Sequence, residues 1–249
     1  MSGSLVVVGT GPGRAELMTP ATQAALARAT DLVGYGPYLD RIPERNDQCR
    51  HASDNRVELD RARLALSLAA SGRRVAVVSG GDPGVFAMAA AIFEAVESGD
   101  PAWRNLDIRV EPGVTAMLAA AAEVGAPLGG DFCAISLSDN LKAWTTVERR
   151  LKAAAEADFV IALYNPASKA RPHQLGLAFD LLRALKAAET PVLFVRAAGT
   201  VDVKVVTTTL GEADGALADM RTLVIVGAST TRQVGRWVYT PRREPGAQS

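Results

Sequence analysis

The stretch "LVVVGTGPGRAELMTP" at residues 5–20 constrains the fold more than any other part of the chain. Leu5–Val8 is short, β-branched and ends on glycine, the pattern of a strand buried on both faces of a parallel sheet. Thr19 followed by Pro20 reads as an N-cap and a first helical position. The glycines therefore fall in a loop at the carboxyl end of a strand, where open α/β sheets bind ligands. A dinucleotide site matches poorly. Its fingerprint is G-x-G-x-x-G, whereas Gly9, Gly11 and Gly13 are spaced G-x-G-x-G. Pro12 also removes an N–H that a pyrophosphate would use. Nor does the next strand candidate, "DLVGYG", end on the acid that binds ribose hydroxyls.

Strands and helices go on alternating, which predicts parallel sheets covered by helices. Strands are expected at Leu5–Val8, Asp31–Val33, Arg74–Val78 and Ile108–Val110, with helices at Pro20–Ala29, Glu58–Ala70 and Pro83–Glu97. The alanine-rich "EPGVTAMLAAAAEVGAPL" leads into a second half. Its strands are expected at Phe132–Ser136, Phe159–Leu163, Val192–Val195, Lys204–Leu210 and Leu223–Val226. The linker "GEADGALADM" between the last two predicts antiparallel pairing late in the chain. The fold class is thus α/β, with domains at residues 1–113 and 114–240 and a disordered tail at 241–249.

Two more glycine loops follow strands. In "SGGDPG", Asp82 suits an N-cap and Pro83 a first helical position. A cap does not require Gly80 and Gly81, which permit a close approach of ligand to backbone. In "EPGVTA", Gly113 turns the chain and Thr115 offers a hydroxyl at a helix start.

Charge excludes other classes. With 27 basic and 27 acidic residues, the chain has no electrostatic claim on nucleic acid or membrane. Two cysteines, Cys49 and Cys133, and two histidines, His51 and His173, make neither a disulfide framework nor a zinc site, so no metal is expected. Ala87–Val96 is apolar but short and interrupted by Glu94, so no membrane span is expected and the cytoplasm is the expected location.

The segments "VGTGPG", "SGGDPGVFAMA", "EPGVTAMLAAAAEVGAPL" and "TLVIVGAST" together resemble the tetrapyrrole (corrin/porphyrin) methylases over nearly the whole chain. "GDFCAISLSDNLKAW", "VIALYNPASKARPHQL" and "RVELDRA" resemble the ring-contracting subgroup that acts in cobalamin biosynthesis. The resemblance implies two α/β domains with the active site in the cleft between them. It further implies S-adenosylmethionine as methyl donor, the tetrapyrrole precorrin-3B as substrate, and a homodimer. Residue by residue, it assigns the cofactor to Pro12, Gly80, Gly81, Asp82, Val85, Thr115, Ala116, Asn165 and Gly199. A sulfonium cation needs carbonyl oxygens, so a proline in the first loop is no handicap. Many relatives carry Asp directly after "GPG", where this chain has Arg14, read as an exposed arginine.

A macrocycle bearing many carboxylates calls for arginine and lysine. Arg56, Arg61, Lys169 and Arg171 are the candidates, with a solvated charged face as the alternative; His51 and His173 read as surface histidines. Ring contraction wants a base near a substrate hydroxyl. Asp139 and Glu58 are the candidates because both lie in subgroup-like stretches, though either also suits a cap or an ion pair. Alternative readings are the same fold acting on another precorrin, on RNA or on a protein side chain, or a non-enzymatic carrier. The absence of a basic–aromatic pattern argues against RNA.

Overall fold

The apolar run near the start of the chain forms β1 (Ser4–Gly9), paired in parallel on both sides. In the computed structural model, which describes residues 3–54, 57–168 and 170–243, the chain divides into two units, Met1–Ala116 and Met117–Ser249. The first unit continues with α1 (Pro20–Arg28), β2 (Asp31–Tyr35), α2 (Gly36–Leu39), β3 (Cys49–Ser53) and α3 (Glu58–Ala70). β4 (Arg74–Ser79), α4 (Met88–Ser98) and β5 (Asp107–Glu111) complete it. Its strands all run parallel in the order β3-β2-β4-β1-β5. Leu5 and Val7 pack with Leu66 of α3 and Ile92 of α4, while Val8 packs with Leu26 of α1 and Leu39 of α2. Helices therefore cover both faces, which is why β1 reads as a continuous apolar run.

Some local expectations are met closely. Thr19 Oγ1 accepts from Thr22 N at 3.1 Å, with Pro20 in the first turn of α1. α3 has the expected bounds.

Others are corrected. α4 begins at Met88 rather than Pro83, and Asp82 does not cap it. Asp82 Oδ1 accepts instead from Gly84 N at 2.8 Å and Oδ2 from Gly113 N at 3.0 Å. Gly84 and the left-handed Phe86 (φ 52°) hold the segment out of helical conformation, so Val85 lies in a loop and not one turn into a helix. β3 has no counterpart among the expected strands, because "CRHAS" is a polar, partly exposed edge strand without apolar alternation.

The second unit is entered through α5 (Ala116–Val124), followed by β6 (Gly125–Ala126), β7 (Phe132–Ser136), α6 (Trp144–Glu156), β8 (Val160–Tyr164) and α7 (Gln174–Arg183). β9 (Pro191–Arg196), β10 (Lys204–Thr209), β11 (Thr222–Val226), β12 (Arg232–Val234) and β13 (Trp237–Tyr239) complete it. The main sheet has the order β10-β9-β11-β8-β7, with β7 and β8 parallel and the other pairs antiparallel. The antiparallel pairing expected late in the chain is present. However, β10 and β11 do not pair with each other; both flank β9. Val147 and Leu151 of α6 and Leu175, Phe179 and Leu182 of α7 pack on Ile161, Leu163, Phe194 and Val224. β13 joins β12 and β6 in a small separate sheet. Most of the expected tail, residues 244–249, lies outside the described residues. Among those described, no helix is long and apolar enough to cross a membrane.

Candidate functional site

In the first unit, loops leave the carboxyl ends of β1, β4 and β5, which are neighbours in the sheet. Gly11 and Gly81 exchange backbone hydrogen bonds of 3.1 and 2.9 Å. Thr10 donates to Ser79 O twice, from N at 2.9 Å and from Oγ1 at 3.0 Å. A Cβ on Gly113 would stand 2.2 Å from Gly81 O, so a side chain there would force the loops apart. Gly81 itself has φ 64°, a region that L residues avoid. The first task of these glycines is to let the loops touch one another.

The expected cofactor residues of this unit are gathered by that contact. An added Cβ on Gly81 would lie 3.8 Å from Thr115 Cα and 3.9 Å from Ala116 N and Val114 O, in a gap between the two loops. Asp82 bonds across to Gly113, and Pro12 directly follows the bridge at Gly11. Thr115 is buried, and Val85 is half-buried in the loop. Gly80 lies under a ring that the sequence reading missed: a Cβ there would be 2.7 Å from Tyr38 Cζ. Arg41, also missed, donates to Gly11 O at 3.4 Å and Gly13 O at 3.2 Å. Nothing in "GYGPYLDR" marks these two residues for the site. The set fits the S-adenosylmethionine that the resemblance implies. The N–H groups at Gly11, Gly81 and Gly113 already have partners, which disfavours a phosphate, while the gap beside Gly81 that a Cβ would fill leaves room for a ligand that needs no N–H cradle.

In the second unit, the "ISLSD" and "YNPASKAR" segments meet at the carboxyl ends of β7 and β8. Asn165 ends β8 in a left-handed conformation (φ 53°), and its Nδ2 donates to Ser136 Oγ at 2.9 Å. Asp139 Oδ2 accepts from Gln174 Nε2 at 3.1 Å, and Arg171 Nε stands 3.9 Å from Asp139 Oδ1. Arg171 is 9% exposed and donates to Asn165 O at 3.4 Å and Leu137 O at 3.5 Å. Gln174 Oε1 is buried without a partner among the described residues. Lys142 donates to Ser136 O at 2.7 Å; burial, then the nearby Arg150, push its amine below the usual lysine range. Ser136, Lys142 and Gln174 were not singled out, although they lie within the quoted segments. Gly199 (φ 70°) follows Ala197 (φ 53°) in the turn after β9, closed by Thr200 N and Oγ1 on Ala197 O at 3.1 and 2.9 Å.

Of the basic residues expected on substrate carboxylates, Arg61 and Arg171 have internal partners. Arg61 is 5% exposed and donates to Ser53 Oγ at 2.8 Å, Asp54 O at 2.7 Å and Met88 Sδ at 3.2 Å. Arg61 thus ties the end of β3 to α3 and α4 through a hydroxyl, a carbonyl and a thioether, while Arg171 joins the ends of β7 and β8 through two carbonyls. Arg56 and Lys169 lie outside the described residues. Glu58 is exposed in the first turn of α3, where an acid complements the helix dipole. Arg14 and His173 are exposed, whereas His51 pairs with buried Asp31 at 2.9 Å.

The family model of the tetrapyrrole (corrin/porphyrin) methylases matches residues 4–214. A precorrin-3B C(17)-methyltransferase from Sinorhizobium sp. is 60% identical over 252 aligned residues, covering 99% of each chain. The crystal structure of the methyltransferase CobJ superposes with a TM-score of 0.94 at 55% identity, over 96% of this chain and 100% of that one. A uroporphyrin-III C-methyl transferase from Thermus thermophilus, complexed with S-adenyl homocysteine, shares the fold at a TM-score of 0.66 and 22% identity, over 90% and 92% of the two chains. A match that begins in β1 and runs past β10, together with relatives that span the whole chain, means that it belongs to the tetrapyrrole methylases.

Proposed function

We propose that the chain methylates C17 of precorrin-3B from S-adenosylmethionine and contracts the ring to precorrin-4, in cobalamin biosynthesis. The observation that carries this reading is the meeting of Asp139, Asn165 and Arg171 at one end of the β7–β8 pair, in the segments that resemble the ring-contracting subgroup. The 60% identity over the full length of a precorrin-3B C(17)-methyltransferase supports the same substrate.

S-adenosylmethionine, when bound, supplies a methyl group activated by a sulfonium. Gly81, Asp82, Thr115, Ala116 and Pro12 would hold it in the first unit, with Gly80 and Val85 beside them; the same proposal assigns Asn165 and Gly199 to it. Their part is alignment and exclusion of water, since methyl transfer asks little acid–base help. Ring contraction asks more. Asp139, held by Gln174 and Arg171, accepts the proton of the ring hydroxyl. Methylation of a conjugated ring carbon leaves the macrocycle electron-poor. The O–H pair becomes the carbonyl as the neighbouring ring C–C bond breaks from the hydroxyl-bearing carbon and re-forms at the adjacent electron-poor ring carbon. The methyl cation gained and the proton lost balance, and one carbon leaves the ring as an acetyl substituent. Glu58 is the alternative base. Action in the cytoplasm as a homodimer belongs to the same proposal and rests on the resemblance.

Incubation of the purified chain with precorrin-3B and methyl-labelled S-adenosylmethionine tests the reading by mass analysis. One labelled methyl per macrocycle and a contracted ring are expected. A product without label, or one in which an uncontracted precorrin is methylated elsewhere, overturns it.

A further inference from the structure

A cavity of about 380 Å³ opens at the carboxyl end of β9, lined by Arg196, Val201, Asp202, Val203, Lys204 and Arg221. Half of its lining is cationic, and the strand register sets those cations side by side. Lys204 on β10 is the cross-strand partner of Arg196 on β9, and Thr222, next to Arg221, is the partner on the other side. Like charges directly opposite one another destabilise a sheet unless something of opposite sign joins them. Asp219 serves Arg196 at 2.7 Å. Among the described residues, no ion pair joins Lys204 or Arg221 to a carboxylate. Asp202 is the acidic residue of the cavity lining.

The position matters as much as the charge. β8 and β9 are both antiparallel to β11, and β7 is parallel to β8, so the cavity opens at the end of the sheet that carries Asp139, Asn165 and Arg171. Only β11 stands between β8 and β9, a separation of about 10 Å at ordinary strand spacing. Ala197 N donates to Arg221 O at 2.9 Å, tying the cavity to the turn that holds Gly199. Arg61 and Arg171 donate to internal partners, whereas Lys204 and Arg221 are exposed and have no ion pair among the described residues.

We propose that this cavity is a carboxylate-binding subsite in which Arg221 and Lys204 hold a peripheral acidic side chain of the macrocycle. Arg221 offers a planar fork suited to a carboxylate, and Lys204 a compact charge beside it. The inference rests on the tetrapyrrole reading.

The test is the double variant Lys204→Gln/Arg221→Gln, in which both positions are exposed and no internal pair is broken. A control of equal charge change, Arg104→Gln/Arg109→Gln, lies in the other unit. The KM for precorrin-3B is expected to rise about 5- to 30-fold in the double variant, the size of two partly exposed charge pairs. The KM for S-adenosylmethionine should stay within twofold in both variants, and added salt should narrow the difference from wild type. An active wild type with an unshifted double variant overturns the subsite and leaves the function standing. A wild type inactive on precorrin-3B overturns both. Calorimetry with inorganic phosphate separates a free anion from a substrate side chain. Phosphate binding that the double variant loses while the precorrin-3B KM is unmoved would assign the cavity to a free anion and overturn the proposal.

Discussion

Gly11 and Gly81 are joined by a reciprocal pair of backbone hydrogen bonds, Gly11 N to Gly81 O at 3.1 Å and Gly81 N to Gly11 O at 2.9 Å. That pair decides what kind of ligand the glycine loops can serve. A phosphate cradle needs backbone N–H groups aimed outward. Here those of Thr10, Gly11, Gly81 and Gly113 are all turned into contacts between loops. The same pair occupies both carbonyls, so what the loops keep for a ligand is the space beside Gly81, where an added Cβ meets nothing closer than 3.8 Å.

The loop contact has a graded cost that mutation can read. Gly81→Ala keeps the space, since the nearest atom to its Cβ is 3.8 Å away, but forces alanine into φ 64°. A loss of about 1–2 kcal/mol is expected. Gly113→Ala puts a Cβ 2.2 Å from Gly81 O and has to part the loops, so its loss should exceed about 3 kcal/mol. Urea unfolding of the two variants checks the order. Equal losses would show that the loops separate freely.

Phe86 offers a test of strain kept for function. It holds φ 52° and is 51% exposed, in the loop that follows Asp82. Phe86→Gly relieves the backbone but loosens the unfolded chain, two effects of about 1 kcal/mol and opposite sign. Stability should therefore stay within about 1 kcal/mol while S-adenosylmethionine binding weakens. Calorimetry beside a thermal melt separates the two. Unchanged affinity would mean that the ring and its strained backbone do not serve the cofactor.

Asp31 gives a pH dependence remote from the site. Burial pushes its carboxyl up, but hydrogen bonds from Arg73 at 2.7 Å, His51 at 2.9 Å and Thr30 at 2.7 Å outweigh this and hold it below the ordinary 3.8. A carboxyl lowered in the folded state contributes stability that is present above the unfolded value and is lost as pH falls through the folded one. Asp31→Asn should cost about 1–3 kcal/mol at pH 7. The gap from wild type should close below about pH 4. Denaturation at pH 7 and pH 3 is the measurement. A gap that is constant or widens in acid would remove the carboxylate as the cause.

Where local chemistry decides the structure, the sequence was readable. Thr19–Pro20 announces α1, and the β-branched runs announce β1, β4, β9 and β11 because a two-sided apolar environment leaves few other options. The failures came where distant backbone decides. Asp82 has the residues of a cap, yet its carboxylate goes to Gly113, 31 residues away, and the helix starts only at Met88. β3 exists because β2 offers a free edge, which no pattern inside "CRHAS" reveals. In the same way, the carbonyl partners of Arg171 come from Leu137 and Asn165, on other segments, which no local pattern announces.

Asp139 carries the sharpest prediction about chemistry. Its side chain is 30% exposed, with Gln174 on one oxygen and Arg171 3.9 Å from the other, so it is oriented yet open to a substrate. Asp139→Asn keeps the size and an oxygen for Gln174, and should bind cofactor and macrocycle as wild type does. With the base gone, contraction should slow by about 10²–10⁴-fold. If methylation comes first, a methylated but uncontracted macrocycle accumulates, which mass analysis of single-turnover samples would detect. Arg171→Lys refines the test, because lysine keeps the charge but cannot reach both carbonyls and Asp139 with a fork. If Arg171 positions the base, contraction falls in that variant while methylation proceeds. Contraction at the wild-type rate in Asp139→Asn would make Asp139 structural and move the role to Glu58, tested by Glu58→Gln. Normal contraction in both would mean that the protein contributes only position, and that the proton moves between groups of the substrate itself.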